Sequence, residues 1–312
     1  MKILQFLKNW ALLLSILIGC IGHSWLIQFA SIVPYILFSM LLFTFCRITP
    51  QELKFKKMHL WFLLIQIGGG LILYMSLSPF NIPLAEGLMM CVLAPTAAAS
   101  AVVTMKLGGD GANNTTYVLI SSMAVAIIAP LLFPIIHPMP EHPNFWIACW
   151  SILKRVMPVL IGPFVLATIL HIILPKVHEK LATWHEVSFY LWSLCLVFAA
   201  AQTVEALLQE KSQTGIELLL AGFSGIICII LFSIGKHVGG IYGKRISGGQ
   251  SLGQKNVVLA IWIAQSYLTP IASTGLGAYI IWQNIFNSYQ LWKKRQEEQK
   301  GNEHPSDFEL IP

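Results

Sequence analysis

Long apolar runs recur along almost the whole of the 312-residue chain and are separated by short polar stretches. A transmembrane helix needs about 20 mainly apolar residues to cross the hydrocarbon core of a bilayer. The chain has about ten runs of that kind, which predict an all-α, polytopic protein embedded in a lipid bilayer. The predicted spans lie at residues 9–28, 31–48, 58–78, 82–107, 113–136, 145–174, 186–208, 214–240, 247–268 and 270–292.

The composition supports this fold class. Charged residues make up only 11% of the chain and hydrophobic residues 56%, whereas about 25% of an ordinary soluble domain is charged. A net charge of +6 would favour a nucleic-acid partner in a soluble protein, but in membrane proteins Lys and Arg collect in cytoplasmic loops. The six cysteines lie inside apolar runs without metal-ligand spacing. We therefore expect buried packing cysteines, no metal site, no cofactor and no nucleic-acid partner.

The distribution of Lys and Arg predicts the orientation in the membrane. With the N-terminus inside, the outer segments hold only Lys154, Arg155 and Lys211, and the other loop cations fall on the inside. This bias predicts a multi-pass protein of the cell (inner or plasma) membrane with both termini in the cytoplasm. Leu17–Cys20 is similar to a lipoprotein cleavage box, but the apolar residues that follow favour an uncleaved first helix.

About ten spans divide naturally into five plus five, and an odd number per half places the two halves in opposite orientations. We therefore predict one membrane-embedded domain over residues 1–312, with a first inverted repeat at 1–141 and a second at 142–292. Residues 293–312 are charged and then polar, which predicts a disordered cytoplasmic tail.

The fourth and ninth predicted spans are both interrupted. Ala94–Ser100 contains a proline and small residues, and Gly248–Asn256 contains glycines, amides and a lysine. Pro95 alone could be a simple kink, but two broken apolar segments in matching positions of two halves indicate the binding site of a transporter. Each break frees backbone N–H and C=O groups that lipid cannot satisfy. We expect the two breaks to cross near the midplane and to form a small polar site.

The second break carries Lys255, a cation predicted to lie at membrane depth. A buried charge is costly unless it is paired or used. Three interpretations of Lys255 stay open: a permanent structural cation, a lysine that pairs with substrate or exchanges a proton during transport, and an incidental snorkelling lysine. Glu205, in the seventh span, could pair with Lys255 or lie near the outer surface, and Glu86 is expected to be an ordinary interfacial carboxylate.

Several short motifs resemble those of the bile acid:sodium symporter superfamily. Gly253–Asn256 resembles its Gly-x-Gln-Asn motif, Tyr279–Ile285 resembles its final-helix Trp-His/Gln-Asn pattern, and Pro95–Ala101 resembles its Pro-Gly-Gly-x-Ala-Ser-Asn motif. Gly109-Asp110 and Ala129-Pro130 also fall where the family has similar pairs, and the resemblance covers most of the chain in span order. It implies a secondary active transporter that moves small organic anions by alternating access.

The resemblance also indicates candidate residues for binding substrate or ions in the crossover region, although it does not identify the substrate, the coupling stoichiometry or the oligomeric state. Helix N-termini and Lys255 both favour an anion. The candidates are Gln66, Pro95, Thr96, Ser100, Ser121, Ser251, Gln254, Lys255 and Asn256.

The departures from the family pattern concern the sodium site. Sodium-coupled members have a glutamate two residues before Gly-x-Gln-Asn, where it bridges two sodium ions, and this chain has Ser251 there. Lys255 replaces the family's glutamine, Ala101 replaces an asparagine, and Tyr117 falls where a hydroxyl residue is expected. Hard cations usually need a carboxylate among several oxygen ligands. These replacements argue against sodium coupling and leave the proton as the alternative coupling ion.

Two other classes of function are alternatives to a transporter. A receptor or sensor built on a transporter fold would have the same spans, but the loops are short and no signalling domain is visible. A membrane-embedded hydrolase could use Ser251 and Lys255, which are four residues apart and would share one helical face. The glycine between them, Gly253, favours an unwound stretch instead, so we expect no enzymatic activity.

Overall fold

The computed structural model describes residues 14–47, 54–138, 144–209 and 214–303. Within these ranges the chain is helical, and the only strand-like pairing is one isolated bridge. The helices are α1 (14–21), α2 (His23–Leu26), a 3-10 helix (Ile27–Ile32), α3 (Val33–Phe45), α4 (Lys57–Leu77), α5 (Ile82–Leu93), α6 (Ala99–Lys106), α7 (Gly111–Ile136), α8 (Phe145–Leu160), α9 (Gly162–Ile173), α10 (Pro175–Thr183), α11 (His185–Gln209), α12 (Thr214–Ile241), α13 (Arg245–Gly253), α14 (Val257–Tyr267) and α15 (Ala272–Glu303).

The helices bear out a multi-pass membrane protein. Judged by length and composition, five helical stretches of the described residues could cross a bilayer: His23–Phe45, Lys57–Leu77, Gly111–Ile136, Phe189–Leu208 and Gly215–Ile241. Helices α8 and α9 are bent by 43° at their junction and would make a sixth. Helices α5 and α14 are apolar but too short to span alone, because each belongs to an interrupted segment. The count of ten spans and the inverted repeat stay predictions.

The second interruption is shorter than the glycines suggested. Helix α13 continues through Gly248 and Gly249 to Gly253, and only Gln254–Asn256 separate it from α14. The predicted break in this span is present, but it begins directly after Gly253, which is the last residue of α13. The glycines instead allow two helices to touch, as the contacts of α13 with α12 show.

Helices α12 and α13 approach until their backbones meet. A Cβ atom at Gly248 would overlap the carbonyl oxygen of Gly235 and crowd the backbone of Gly239. Small residues at spacings of four favour this kind of close helix contact in membranes. Gly243, between the two helices, has φ of +65°, a conformation that glycine adopts without strain and that closes the tight turn.

The two half-helices of the interrupted segments have different neighbours. Helix α14 packs against α15 and α5 and also against α3 and α11, whereas α6 packs principally against α7 and α13. Every residue of α14 from Val257 to Ala264 is buried, while Ala99 at the start of α6 is exposed. One side of α6 is therefore open, and the matching part of α14 is covered.

The predicted disordered tail is partly helical. Helix α15 continues to Glu303, and its charged end carries pairs between Lys293 and Glu297 (3.8 Å) and between Lys294 and Glu298 (3.2 Å). Pairs of this spacing and residues with long unbranched side chains favour helix. Residues 304–312 lie outside the described part of the chain.

Candidate functional site

The two interrupted segments cross in the interior of the protein, where Thr96 and Lys255 form an isolated antiparallel bridge. The amide of Ala97 donates to the carbonyl of Gln254 (2.9 Å), and the amide of Asn256 donates to the carbonyl of Pro95 (2.7 Å). Both bridging residues are only 1% exposed. Two extended stretches thus satisfy part of each other's backbone in a region that water does not reach.

The side chains of the bridging residues bond in matching ways. The Thr96 hydroxyl donates to the carbonyl of Ser251 (2.6 Å), and the Lys255 ammonium donates to the carbonyl of Val92 (2.7 Å). Each of these carbonyls lies four residues before the other bridging residue. The crossing is therefore symmetric in its hydrogen bonds but not in its charge, because one side supplies a hydroxyl and the other an ammonium.

The amides of the bridging residues also have corresponding partners. The Thr96 N–H donates to Oγ of Ser121 on α7 (3.1 Å), and the Lys255 N–H donates to Oε1 of Gln283 on α15 (2.9 Å). The Gln283 amide returns a hydrogen bond to the carbonyl of Lys255 (3.3 Å). In each case the side chain comes from the long helix that follows the interrupted segment in the chain, α7 after α5–α6 and α15 after α13–α14.

Four successive carbonyls at the C-terminal end of α5 and just beyond it, those of residues 92–95, accept hydrogen bonds. Gln66 Nε2 donates to Leu93 (2.8 Å) and Ala94 (3.2 Å), while Val92 and Pro95 are taken by Lys255 and Asn256. The buried Tyr117 hydroxyl fixes the Gln66 amide by donating to its Oε1 (2.7 Å). In a helix that ended without such partners these carbonyls would be free to accept a cation.

A second chain of hydrogen bonds joins α6, α7 and α13. The Ser100 hydroxyl donates to Oδ1 of Asn114, and Nδ2 of Asn114 donates to Oγ of Ser251 (3.0 Å) and to the carbonyl of Ser247 (3.3 Å). At the end of α13 the Tyr279 hydroxyl donates to the carbonyl of Gly253 (2.8 Å). These hydrogen bonds connect α6 and α7 with α13, and α13 with α15, next to the crossing.

All nine candidate residues predicted from the sequence lie together in this region, and each makes a side-chain or backbone contact described above. The contact of Gln254 is through its backbone carbonyl; its side chain is largely buried, with the residue 8% exposed, and Oε1 has no hydrogen-bond partner among the described residues. A role of these residues in binding substrate or ions stays a prediction. The residues are Gln66, Pro95, Thr96, Ser100, Ser121, Ser251, Gln254, Lys255 and Asn256.

Sequence reasoning missed three side chains that build the crossing: Asn114, Tyr279 and Gln283. Tyr279 and Gln283 stand in the final-helix segment that resembles the family pattern, and so they could have been found. Asn114 stands in the first turn of a span, where polar residues are ordinary, and its sequence gives no sign that it reaches Ser251.

The two crossing segments supply no acidic side chain, and the expectation that sodium does not couple transport stays a prediction. The segments 92–100 and 251–256 contain no carboxylate, and no group of three or more His, Cys, Asp or Glu side chains is found among the described residues. The Ser251 hydroxyl is bonded to Asn114, and the ammonium of Lys255 already lies against the carbonyl end of α5. A hard cation would meet a like charge there and no carboxylate ligand.

The Ser/Lys arrangement of a hydrolase does not form either. The Ser251 hydroxyl bonds to Asn114, while Lys255 Nζ bonds to the carbonyl of Val92. Because α13 ends at Gly253, the two residues are not on one continuous helix. Nothing in this pair supplies a nucleophile with an adjacent base.

Glu86 is buried among neighbouring helices. It is 0% exposed, and its carboxylate accepts from His137 Nδ1 (3.0 Å), from the amide of Thr269 (2.8 Å) and from the hydroxyl of Thr269. The carboxylate is therefore enclosed by protein groups, and its position at the membrane interface stays a prediction. This carboxylate joins the start of α5 to the end of α7 and to the turn between α14 and α15.

Asp110, at the start of α7, contacts residues at the starts of α13 and α4. Its amide donates to Oγ of Ser247 (3.0 Å), and its carboxylate pairs with Lys244 (3.1 Å) and Lys56 (3.9 Å). Burial raises the pKa of this carboxyl. The amide of Asn113 and the two lysines together lower it by more than burial raises it, so the pKa lies below its ordinary value. The Asp110 carboxylate is thus held in its charged form at the start of α7.

Glu205 does not pair with Lys255. Its carboxylate lies 3.1 Å from Nδ1 of His23, so it links α11 to the N-terminal helices. Lys255 has no carboxylate within 4.0 Å among the residues that the structure describes, and its recorded hydrogen bond from Nζ is the one to Val92. The ammonium instead lies at the C-terminal end of α5, where the helix dipole is negative.

Comparison with known protein families supports the resemblance at family level. Residues 63–210 match the model of the Sodium Bile acid symporter family, a stretch that contains the first interruption but ends before the second. No curated protein matches the chain in a sequence comparison. Members of the matched family are transporters rather than enzymes. The match over residues 63–210 supports membership of the bile acid:sodium symporter superfamily.

Proposed function

We propose that this protein is a secondary active transporter that moves small organic anions across the membrane by alternating access. Family membership supports a transporter of small solutes, and the observation that carries the rest is the crossing itself. Two interrupted helices meet in the buried interior, and one of the half-helices that leave the crossing is open on one side. A solute that reached this opening would lie against the ends of helices.

The start of α6 favours an anion. Ala98, at its N-cap, provides no side chain to bond the first amides, and Ala99 in the first turn is exposed. The N-terminal end of a helix carries a partial positive charge and free N–H groups, which together attract carboxylates and phosphates. The unpaired Oε1 of Gln254 lies on the chain segment that pairs with Ala97, and it would suit a hydroxyl or amide donor of the same solute.

The packing of the half-helices supports an inward-facing conformation. Helix α14, which runs towards the predicted outer side, is covered by α3 and α11, whereas α6, which runs towards the predicted cytoplasm, packs principally against α7 and α13. An outward-facing state would require α6 to become covered and α14 to become exposed. We infer that α4–α7 and α12–α15 move together against the remaining helices, as the inverted-repeat plan of the family implies.

The test is uptake of organic acids by proteoliposomes under imposed sodium, proton or membrane-potential gradients, with a panel that contains aliphatic, aromatic and sterol acids. Ala99→Glu places a carboxylate at the proposed anion site, and Ala99→Gln adds the same bulk without charge. We expect the Glu variant to raise KM for the transported acid by about tenfold or more relative to the Gln variant, since about 1.4 kcal/mol of repulsion is enough.

The matched pair separates charge from bulk. Equal KM values for the two variants would show that the transported anion does not bind at the start of α6. An absence of uptake for every acid in the panel, with a positive signal for ligand-dependent stabilisation of the purified protein, would instead favour a receptor built on this fold.

A further inference from the structure

We propose that Lys255 is a built-in cation of the crossing: its ammonium occupies the carbonyl end of α5 and makes a bound sodium ion unnecessary there. This inference deepens the proposed function, because it concerns the ion requirement of the same site. It is carried by the position of one side chain and by the partners of the carbonyls around it.

The position is that of a helix-capping cation. Lys255 Nζ lies 2.7 Å from the carbonyl oxygen of Val92, and the residue is 1% exposed. The amide of Thr96, which would pair with this carbonyl if α5 continued, instead donates to Ser121. The carbonyl of Val92 is therefore free of its helical partner, and the ammonium takes it. A positive charge at this end of a helix is stabilised by the helix dipole.

The matching bond on the other side shows that charge is not needed for the hydrogen bond alone. Thr96 satisfies the carbonyl of Ser251 with a neutral hydroxyl in the same geometry. Burying an ammonium costs much more than burying a hydroxyl, so a lysine in this place must be stabilised by the electrostatics of the site. The carbonyl of Val92, at the negative end of the α5 helix dipole, would provide that stabilisation.

A mobile cation would find little room in the same place. The carbonyls of Leu93 and Ala94 accept from Gln66, and that of Pro95 accepts from Asn256. Ser251 contributes a hydroxyl that is already bonded to Asn114. A sodium ion would have to displace these donors and approach an ammonium without a carboxylate to offset the repulsion.

The test replaces the tethered ammonium with a free one. Lys255→Ala removes the side chain beyond Cβ, which has the size of propylammonium. The purified wild type and variant are melted in detergent in sodium chloride and in choline chloride at equal ionic strength, with or without propylammonium or the neutral 1-propanol. Lys236→Ala is the control, since Lys236 is a partly exposed lysine that lies over the ring of Phe286.

We expect the wild type to melt at the same temperature in sodium and choline. Lys255→Ala should melt about 5 °C or more below the wild type, and propylammonium but not propanol should restore most of the loss. No rescue is expected for Lys236→Ala.

Three results would overturn the proposal. One is a wild-type melting temperature that rises in sodium but not in choline; another is equal rescue by propanol, which would assign Lys255 a packing role alone. The third is a Lys255→Ala protein as stable as the wild type. The sodium comparison needs only the wild type, so it decides the matter even if the variant does not fold. Because melting requires no substrate, a failure to find a transported acid would leave this test intact.

Discussion

Thr96 and Lys255 face each other across the crossing and satisfy equivalent carbonyls with different chemistry. The difference makes the two residues separately testable. A substitution at Thr96 changes one neutral hydrogen bond, whereas a substitution at Lys255 changes a charge as well. Substitutions at Thr96 therefore measure what the hydrogen bond alone contributes to the stability of the crossing.

At Thr96 we predict that the hydroxyl, rather than the shape of the side chain, stabilises the crossing. Thr96→Val keeps the shape but leaves the buried carbonyl of Ser251 without its 2.6 Å donor, which should cost about 1–3 kcal/mol in the free energy of unfolding. Thr96→Ser keeps the donor and should cost less. Melting of the two purified variants checks the order, and a valine variant at least as stable as the serine variant would contradict it.

The residue types at the crossing were predictable from the sequence, but their partners were not. Gln66, Ser100 and Ser121 were identified from short motifs and from their positions in the spans, and each lies in the network. Pairing of Glu205 with Lys255 was one of two possibilities that its position in the seventh span predicted, and Glu205 instead contacts His23. A sequence shows which polar residues are at membrane depth, whereas the pairing depends on how the helices are turned against one another.

At the scale of elements, the glycines of α13 act through helix contact rather than through flexibility. The sequence Gly248–Gly253 suggested an unwound segment because glycine favours irregular backbone. The tertiary contact with Gly235 and Gly239 overrides that preference. Only a knowledge of which helix lies opposite could distinguish the two roles, so the short length of the true interruption could not be derived from the sequence.

We predict opposite effects for two glycine-to-alanine substitutions in this helix pair. Gly248→Ala would press a methyl group into the backbone of α12 and should destabilise the protein by about 1–3 kcal/mol or more. Gly240→Ala has no neighbour within 4 Å of the added atom and should be neutral or stabilising by up to about 1 kcal/mol, because alanine favours helix. Melting temperatures of both purified variants test this, and equal losses would show that the α12–α13 contact is not tight.

At the scale of the whole molecule, the difference in cover between α6 and α14 predicts which side of the membrane reaches the crossing. Ala99 is exposed at the start of α6, whereas Val258, in the corresponding turn of α14, is 4% exposed. Five of the six native cysteines are buried, so background labelling of single-cysteine variants should be low.

We expect Ala99→Cys to react with a membrane-impermeant thiol reagent applied from the cytoplasmic side and not from outside. Val258→Cys should remain unlabelled from either side in the same conformation. The labelling rate of each variant in inside-out and right-side-out vesicles is the measurement. Faster reaction of Val258→Cys from the outside than of Ala99→Cys from the inside would show that the protein rests outward-facing.

The apolar runs predicted the helical class and the membrane location, because hydrophobic length is set by bilayer thickness. The end of the molecule was less predictable: residues 293–303 looked like a polar tail but extend α15, since their Lys–Glu pairs have helical spacing. The count of spans depends on how α5, α6, α13 and α14 cross the bilayer. Hydropathy alone does not measure that path.

The covalent attachment of Lys255 has a thermodynamic consequence. A free ion occupies its site in proportion to its concentration, whereas a tethered group has an effective concentration that bulk salt does not alter. A cation fixed at the crossing therefore cannot dissociate on one side of the membrane and rebind on the other, and it cannot transmit the free energy of a sodium gradient. If Lys255 takes the place of the coupling ion, uphill transport would draw on another ion, such as a proton, or on the membrane potential acting on the charged solute itself.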